Sequence, residues 1–304
     1  MASARGELPP WVDLGLIPLL NLVVALLFAA LVVLIIGENP FEAMWIMLKG
    51  AVGSLKGWGY LLYYATNFVF TGLAVAVAFH AGLFNIGGEG QAYFAGLGAA
   101  IVGLGLEFLP WPIVIPLAIL ASMLFGAFWA WIPGYLQAKR GSHIVITTIM
   151  FNFIASALLA YVLLNVLKEP GNMTVESRPF GPGAKVPGVH EALAWLGIEW
   201  PRSPLNLSVL LAAFAAVGVY LLLWKTKPGY ALRAVGFAPE AARYAGIRPR
   251  AQIMRAMALS GALAGLVGIN EVAGVHGRLL LDYVVGAGFA GIAVSLIGRN
   301  HPLG

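Results

Sequence analysis

The sequence predicts an all-α bundle of membrane-spanning helices, and three observations lead to this fold class. Hydrophobic residues make up 60% of the 304 residues and charged residues only 10%, whereas about a quarter of a soluble domain is charged. The mean hydropathy is +0.87. The apolar runs are about 20 residues long and lack period-two alternation, which favours helices over barrel strands. We therefore expect a single membrane domain over residues 1–304, with lipid as its main solvent and partner.

The apolar runs predict about eight spans in one polypeptide. The first run follows Arg5 and is too long for the core of a signal peptide, so we expect it to be retained as a membrane anchor. Residues 39–59 carry too many charges for a span and are expected to lie along the membrane surface. The runs are 14–36, 60–79, 92–106, 113–131, 144–166, 207–224, 256–275 and 284–297.

Positive charge predicts the orientation of the chain. Residues 225–255 hold seven of the 18 Lys and Arg residues and one acidic residue, and basic loops stay in the cytoplasm. We therefore expect loop 225–255 to be cytoplasmic and the long polar loop 168–206 to be extracytoplasmic. The short basic loop with Lys139 and Arg140 then falls on the cytoplasmic side as well. This distribution explains the net charge of +5 without nucleic acid as a partner.

A polar, glycine-rich segment interrupts the apolar region between the second and third runs. Residues 81–91 read AGLFNIGGEGQ and include Asn85, Glu89 and Gln91. Such residues are costly in a regular helix that faces lipid. Non-helical backbone at membrane depth is tolerated where neighbouring helices bury it or where it lines a cavity. The segment therefore predicts either a broken or re-entrant helix whose Asn85, Glu89 and Gln91 line a solute pathway, or a short surface loop.

The stretch GFAPEAARYAGI predicts a short helix inside the basic loop. Pro239 suits a first helical turn, and Glu240 just after it complements the positive end of the helix dipole. The small side chains of Ala241 and Ala242 help to leave one face of this helix narrow enough to fit a groove on another protein. A solvated basic loop is the alternative interpretation.

Other polar and glycine-rich positions predict structural roles. The small residues of GALAG, at 261–265, are spaced for close helix packing or a dimer contact. Glu271, Arg278 and Asp282 lie between two apolar runs and predict an interfacial charge cluster. The sequence contains no catalytic triad, paired-carboxylate site, zinc pattern, phosphate-binding loop or cysteine. We therefore expect no enzyme, no cofactor and no metal site, with any ATP hydrolysis on a partner.

Four stretches in a fixed order carry a family resemblance that covers most of the chain. They are TGLAVAVAFHAGLFNIGGEGQ (71–91), GSHIVITTIMFNFIA (141–155), LRAVGFAPEAARYAGI (232–247) and GAGFAGIAVSLIGRNHPLG (286–304). In these stretches the chain resembles permeases of the branched-chain amino acid, ribose and nucleoside group of ABC importers, most closely their nucleoside and simple-sugar branch. Two positions depart from the family pattern and bear on substrate specificity: His80 stands where family members often have Arg, and His143-Ile144 stand where they often have Asn-Glu.

The resemblance implies an importer of several subunits in the bacterial cytoplasmic (inner) membrane. A second permease subunit, identical or different, encloses the pathway, two cytoplasmic ATP-binding subunits supply energy, and an extracytoplasmic substrate-binding protein delivers the solute. The pattern EAAxxxG resembles the opening of the loop that docks into the ATPase. It implies a coupling role for Pro239, Glu240, Ala241, Ala242 and Gly246.

The implied function is import of nucleosides or related simple sugars. The alternative is an ion-coupled secondary transporter of a small polar solute, which would need intramembrane charges, and only Glu89 is expected to lie deep. In relatives the last stretch leads into further membrane helices. We therefore expect either that closing helices are missing after Gly304 or that the protein is an unusually short member.

Overall fold

A computed structural model describes residue 9, residues 11–171 and residues 173–304, apart from the side chains of Asp13 and Leu14. The described residues form 12 α-helices, and six helical segments are long and apolar enough to cross a membrane. β-structure among these residues is limited to isolated bridges. The all-α prediction is therefore confirmed. The described residues up to Trp58 and those from Gly59 form two compact units.

The first unit contains two helices of different character. A π-helical turn, Val12–Leu16, leads into α1 (Ile17–Ile36), which has no buried residue and is apolar on all sides. A helix of that kind needs lipid around it. The second helix, α2 (Pro40–Val52), begins where the Asn39 side chain accepts the Phe41 N–H at 3.0 Å, and Asn39 therefore acts as its N-cap.

The second unit contains α3 from Gly59 onward and all the later helices. Three π-helical segments, Leu136–Arg140, Leu163–Leu167 and Ile269–His276, extend or follow α5, α6 and α11. Two of the eight predicted runs form α4, which is less apolar than the six spans, and α12, which has only 11 residues. The helices are α3 (Leu55–His80), α4 (Gly88–Gly105), α5 (Trp111–Tyr135), α6 (Ile144–Val162), α7 (Val189–Ala194), α8 (Ser208–Lys225), α9 (Lys227–Phe237), α10 (Pro239–Tyr244), α11 (Pro249–Gly265) and α12 (Ala287–Ile297).

Small residues bring α5 and α11 into close contact. A Cβ atom at Gly261 would lie 2.2 Å from the Gly126 carbonyl oxygen, so only glycine fits there. One turn further along, the Ser122 hydroxyl donates to the Gly265 carbonyl at 2.8 Å. The GALAG stretch therefore packs two helices of the same chain, which is the first of its two predicted roles.

Apolar side chains cover both the inside and the outside of the second unit. Phe70 and Leu159 are fully buried in its core, whereas Leu124, Phe153 and Phe214 lie exposed on helices long enough to span a membrane. So much exposed apolar surface requires lipid as its neighbour. The chain is a multi-pass membrane protein.

The bundle has two chemically distinct ends. Lys139 lines one cavity together with Arg243 and Arg250, so the short basic loop and residues 225–255 share an end, which we call the basic end. The described residues of loop 168–206 lie at the opposite end, where Arg178 pairs with Glu107, beyond the end of α4, at 3.0 Å. The positive-inside rule requires the two basic loops to lie on the same side, and they do.

Candidate functional site

The predicted helix break is a non-helical turn, residues 81–87, which we call the polar turn. The Asn85 amide donates to Ser260 Oγ at 2.8 Å and to Gln91 Oε1 at 3.0 Å, and its oxygen accepts the Gly87 N–H at 2.8 Å. The Asn152 side chain donates to the Ile86 carbonyl and accepts the Gly90 N–H, both at 2.9 Å. Side-chain amides thus satisfy backbone groups that the helix break leaves free.

The partners of the polar turn place it inside the helix bundle. Ser260 lies about 16 Å along α11 from Pro249, at about 1.5 Å per residue, and the hydrocarbon core of a bilayer is about 30 Å thick. Asn152 lies about 12 Å along α6 from Ile144 by the same measure. The structure therefore favours the broken-helix interpretation over a surface loop.

Glu89 joins the first turns of two helices. It lies in the first turn of α4, and its two carboxylate oxygens accept the N–H groups of Gly286 and Gly288 at the start of α12, both at 2.8 Å. The N-terminus of a helix carries free N–H groups and a partial positive charge. One carboxylate therefore stabilises two helix N-termini that meet inside the bundle.

Glycine makes this meeting of helices possible. A Cβ atom at Gly288 would lie 2.2 Å from the Glu89 nitrogen, and one at Gly88 would lie 3.4 Å from the Gly288 Cα. Any larger residue at position 288 would push α12 away from α4 and pull its N–H group off the Glu89 carboxylate. The glycines are therefore part of the same structural feature as Glu89.

The three residues predicted to line a pathway are buried in this conformation. Asn85 and Gln91 are each 1% exposed, and Glu89 is 7% exposed. Their hydrogen bonds lie within the chain. Contact with a passing solute would thus require helices around the polar turn to separate, so the lining role stays a prediction.

The short helix predicted in the basic loop is present as α10. Pro239 occupies its first position and Glu240 its first turn. At its other end, Gly246 has φ +82°, the Gly246 N–H donates to the Arg243 carbonyl at 3.0 Å, and the Ile247 N–H donates to the Ala242 carbonyl at 3.0 Å. This pair of bonds is a Schellman motif, which requires a left-handed residue and favours glycine.

The surface of α10 is largely exposed. Ala242 is buried against the rest of the chain, whereas Glu240, Ala241 and Gly246 are exposed. The last residue of the helix, Tyr244, is 93% exposed. An exposed large aromatic side chain next to small residues and arginines is typical of a protein contact surface.

Gly236 brings α9, the helix before α10, against the polar turn. A Cβ atom at Gly236 would lie 2.2 Å from the His80 carbonyl oxygen and 2.8 Å from the Gly82 nitrogen. The backbones therefore touch directly, and Gly82 has φ +73°, a conformation that favours glycine. Only Ala238 separates α9 from α10. One backbone contact therefore connects α9, and α10 one residue further along, with the polar turn.

The structure contains a second buried polar network, which we call the Glu271 network. The Tyr63 hydroxyl lies 2.6 and 2.7 Å from the two Glu271 carboxylate oxygens, and the Asn67 amide also donates to Glu271. His276 lies 3.4 Å from the same carboxylate. Asn270 donates to Asn67 at 2.8 Å, and the network continues through Asn206 and Ser208.

The predicted interfacial charge cluster is wrong for Glu271, which is buried, and the three residues have different partners. Glu271 is buried in the Glu271 network, Arg278 binds Glu176 at 2.7 Å, and Asp282 accepts from the Tyr93 hydroxyl at 3.4 Å. The sequence does carry one signal for the network. Tyr63 and Asn67 are four residues apart, so they share one face of an apolar helix that needs a polar partner.

Comparisons with known proteins agree with the four sequence stretches. Residues 58–304 match the family described as branched-chain amino acid transport system / permease component. The chain is 35% identical to the guanosine ABC transporter permease protein NupP of Bacillus subtilis, over 95% of this chain and 81% of that protein. It is 32% identical to the nucleoside ABC transporter permease protein NupB of Lactococcus lactis, over 95% of this chain and 79% of that one.

A third relative transports a different class of solute by name. The glucose ABC transporter permease protein TsgB13 of Haloferax volcanii is 33% identical, over 97% of this chain and 77% of that protein. No solved structure matches the chain significantly.

Proposed function

Because the chain belongs to the family of branched-chain amino acid transport system permease components, we propose that it is the membrane-spanning subunit of an ABC importer for nucleosides or related simple sugars. The observation that carries the proposal is the similarity to permeases named for guanosine and for nucleosides, which extends over nearly the whole chain. The similar identity to a glucose permease keeps simple sugars as the second substrate class.

The proposed importer contains the partners that the family pattern implies. Two ATP-binding subunits act at the basic end, which faces the cytoplasm under the positive-inside rule. A binding protein delivers the solute to loop 168–206, and a second permease subunit, identical or different, completes the pathway. The proposed location is the bacterial inner membrane.

Energy from ATP enters the chain at α10 in this proposal. Its exposed surface, with Glu240, Ala241, Gly246 and Tyr244, is available for a groove on the ATPase. Pro239 fixes where the helix begins, and the buried Ala242 ties it to the rest of the chain. These features support a coupling role, since a docked helix must transmit movement rather than yield to it.

The movement then reaches the centre of the bundle. Gly236 contacts the polar turn, the polar turn leads into α4, and Glu89 binds α4 to α12. A shift of α10 that separates α4 from α12 would expose Asn85, Glu89 and Gln91 to the pathway. The pathway role of these three residues is thus proposed for a state other than the one described.

Cysteine labelling tests the pathway role. Asn85→Cys, Glu89→Cys and Gln91→Cys are each treated with a water-soluble thiol reagent, with and without ATP and loaded binding protein. The protein has no cysteine of its own, so any labelling reports the introduced residue. We expect labelling in at least one nucleotide state, and no labelling in every state would refute the lining role.

Uptake tests the transport function itself. A strain that lacks this chain is supplied with the gene, and the uptake of labelled nucleosides and sugars is measured with and without the cognate ATP-binding subunit. We expect nucleoside uptake that requires both proteins. Uptake that persists without the ATP-binding subunit would favour the ion-coupled alternative.

A further inference from the structure

The Glu271 network lies towards the end of the bundle that is opposite the basic end. Tyr63, one of its members, lies about 26 Å along α3 from His80 at the basic end. On another side of the network, Asn206 of loop 168–206 donates to Asn270 at 2.8 Å. The network therefore connects this loop with polar groups inside the bundle, at the end where the proposed importer receives its solute.

The carboxylate of Glu271 is buried without a lysine or arginine beside it. Glu271 is 3% exposed, and its one ion-pair partner among the described residues is His276, at 3.4 Å. An ionisable residue inside a membrane protein is costly and marks a functional site by default. Glu271 also lies in a π-helical segment, Ile269–His276, and this rare geometry is frequent at functional sites. Packing alone therefore does not explain an acidic side chain here, since glutamine would fill the same space.

The contacts of Glu271 show how it binds a hydroxyl group. The Tyr63 hydroxyl lies 2.6 and 2.7 Å from the two carboxylate oxygens, and the Asn67 amide donates to one of them. A hydroxyl group of a solute can replace the Tyr63 hydroxyl, because both form the same type of hydrogen bond. Two carboxylate oxygens can accept two neighbouring hydroxyl groups. Glu271 is already out of water, so the exchange avoids the cost of removing water from a carboxylate.

Hydrogen bonds hold loop 168–206 against the π-helical segment that carries Glu271. The Val186 N–H of the loop donates to the Ala273 carbonyl of the segment at 3.0 Å, in addition to the asparagine contact described above. His276, the last residue of the segment, keeps 31% of its side chain exposed. A displacement of the loop would therefore act directly on the segment that carries Glu271.

We propose that Glu271 and Asn67 form a binding site for two neighbouring hydroxyl groups of the solute, and that the Tyr63 hydroxyl fills this site when no solute is present. The inference rests on the proposed function, because nucleosides and simple sugars both carry such a pair of hydroxyl groups. When loop 168–206 receives the solute, the Tyr63 hydroxyl leaves the carboxylate and the solute hydroxyls take its place. The site is separate from the polar turn and binds the sugar part of the solute.

The test compares the uptake of two solutes that differ in these hydroxyl groups. Proteoliposomes with the complete importer and its binding protein are given guanosine or 2′,3′-dideoxyguanosine, and the ratio of the two initial rates is measured below saturation. Where the wild type transports only sugars, the pair is ribose and 2-deoxyribose. The binding protein is the same for every variant, so its own preference cancels and a change in the ratio reports this chain. Glu42→Gln is the matched control, because it makes the same chemical change at an exposed position of α2.

We expect the wild type and Glu42→Gln to prefer the solute with both hydroxyl groups to the same degree, and Glu271→Gln to lower this preference about tenfold or more. A site that binds hydroxyl groups discriminates strongly against an analogue that lacks them. An unchanged ratio in Glu271→Gln overturns the site, and so does the absence of any preference in the wild type. If the wild type imports neither nucleosides nor sugars with ATP, the proposed function falls and this inference falls with it.

A second variant separates solute binding from a purely structural role of the network. Tyr63→Phe removes the internal hydroxyl and keeps the Glu271 carboxylate, so we expect a lower melting temperature and the wild-type preference between the two solutes. A loss of preference as large as that in Glu271→Gln would overturn the proposal. Where Glu271→Gln does not fold, Glu271→Asp keeps the charge but withdraws it by one methylene group. A lower preference in Glu271→Asp then supports the site, and the wild-type preference overturns it.

Discussion

The contact between Gly236 and the polar turn gives the sharpest test of the proposal that movement of α10 is transmitted to the centre of the bundle. In Gly236→Ala, the new Cβ would lie 2.2 Å from the His80 carbonyl oxygen, 2.8 Å from the Gly82 nitrogen and 2.9 Å from the Ala81 carbonyl carbon. All three are backbone atoms that no rotamer change can move. Because non-bonded heavy atoms sit at about 3.5–4.0 Å, α9 must retreat by about 1 Å or more.

The expected cost follows from that displacement. Overpacking of this kind lowers the free energy of unfolding by about 1–3 kcal/mol. In a chain of this size, each kcal/mol lowers the melting temperature by about 2–4 °C. If this free-energy cost falls entirely on the state in which α10 is coupled to the polar turn, ATP-driven uptake falls about five- to 150-fold. The range follows because about 1.4 kcal/mol corresponds to a factor of ten in an equilibrium constant.

Two assays separate coupling from stability in this variant. Thermal unfolding in detergent measures the loss of stability, and stimulation of ATP hydrolysis by loaded binding protein measures coupling. Gly218→Ala is the control, because a Cβ at Gly218 in α8 meets no atom within 4 Å. Wild-type stimulation in Gly236→Ala would refute the role of this contact, even if the melting temperature falls.

Three further predictions concern Glu89, the α5–α11 contact and α10. Glu89→Gln should lower the free energy of unfolding by about 2–4 kcal/mol, because the amide cannot accept both N–H groups, whereas the exposed Glu42→Gln should change it by less than about 0.5 kcal/mol. Equal melting temperatures in detergent would contradict this. Gly261→Ala should cost about 1–3 kcal/mol in the same assay, and Gly218→Ala should cost nothing by comparison. A Cβ atom at Gly246 would meet no atom within 4 Å, but the φ of +82° strains any other residue, so Gly246→Trp should weaken the end of α10 and abolish stimulation of the ATPase; wild-type stimulation would exclude a coupling role.

The sequence alone predicts those structural features that depend only on residues close together in the chain. The polar residues and glycines of 81–91 predict either a broken helix or a short surface loop, and the chain has a break at residues 81–87 whose partners Ser260 and Asn152 lie along two other helices. Pro239 and Glu240 predicted a helix that begins where α10 begins. In both places, backbone chemistry within a few residues decides the outcome, so the pattern is readable without knowledge of the fold.

Partners far apart in the chain could not be predicted in the same way. Ser260 and Asn152 hold the polar turn, yet nothing within their own neighbourhoods indicates that they meet it. The error over Glu271 has the same origin. In the sequence Glu271 lies near Arg278 and Asp282, but in the folded chain it is buried and pairs with Tyr63 and Asn67 on α3, because an acidic group inside the bundle must have hydrogen-bond donors.

Reconstitution tests the central claim most directly. Proteoliposomes that contain this chain, its partner permease and the ATP-binding subunits are supplied with loaded binding protein, and the accumulation of labelled guanosine is measured. We predict accumulation that requires ATP and that an ion gradient alone does not support. Accumulation driven by an ion gradient without ATP would contradict the assignment of this chain as an ABC importer permease.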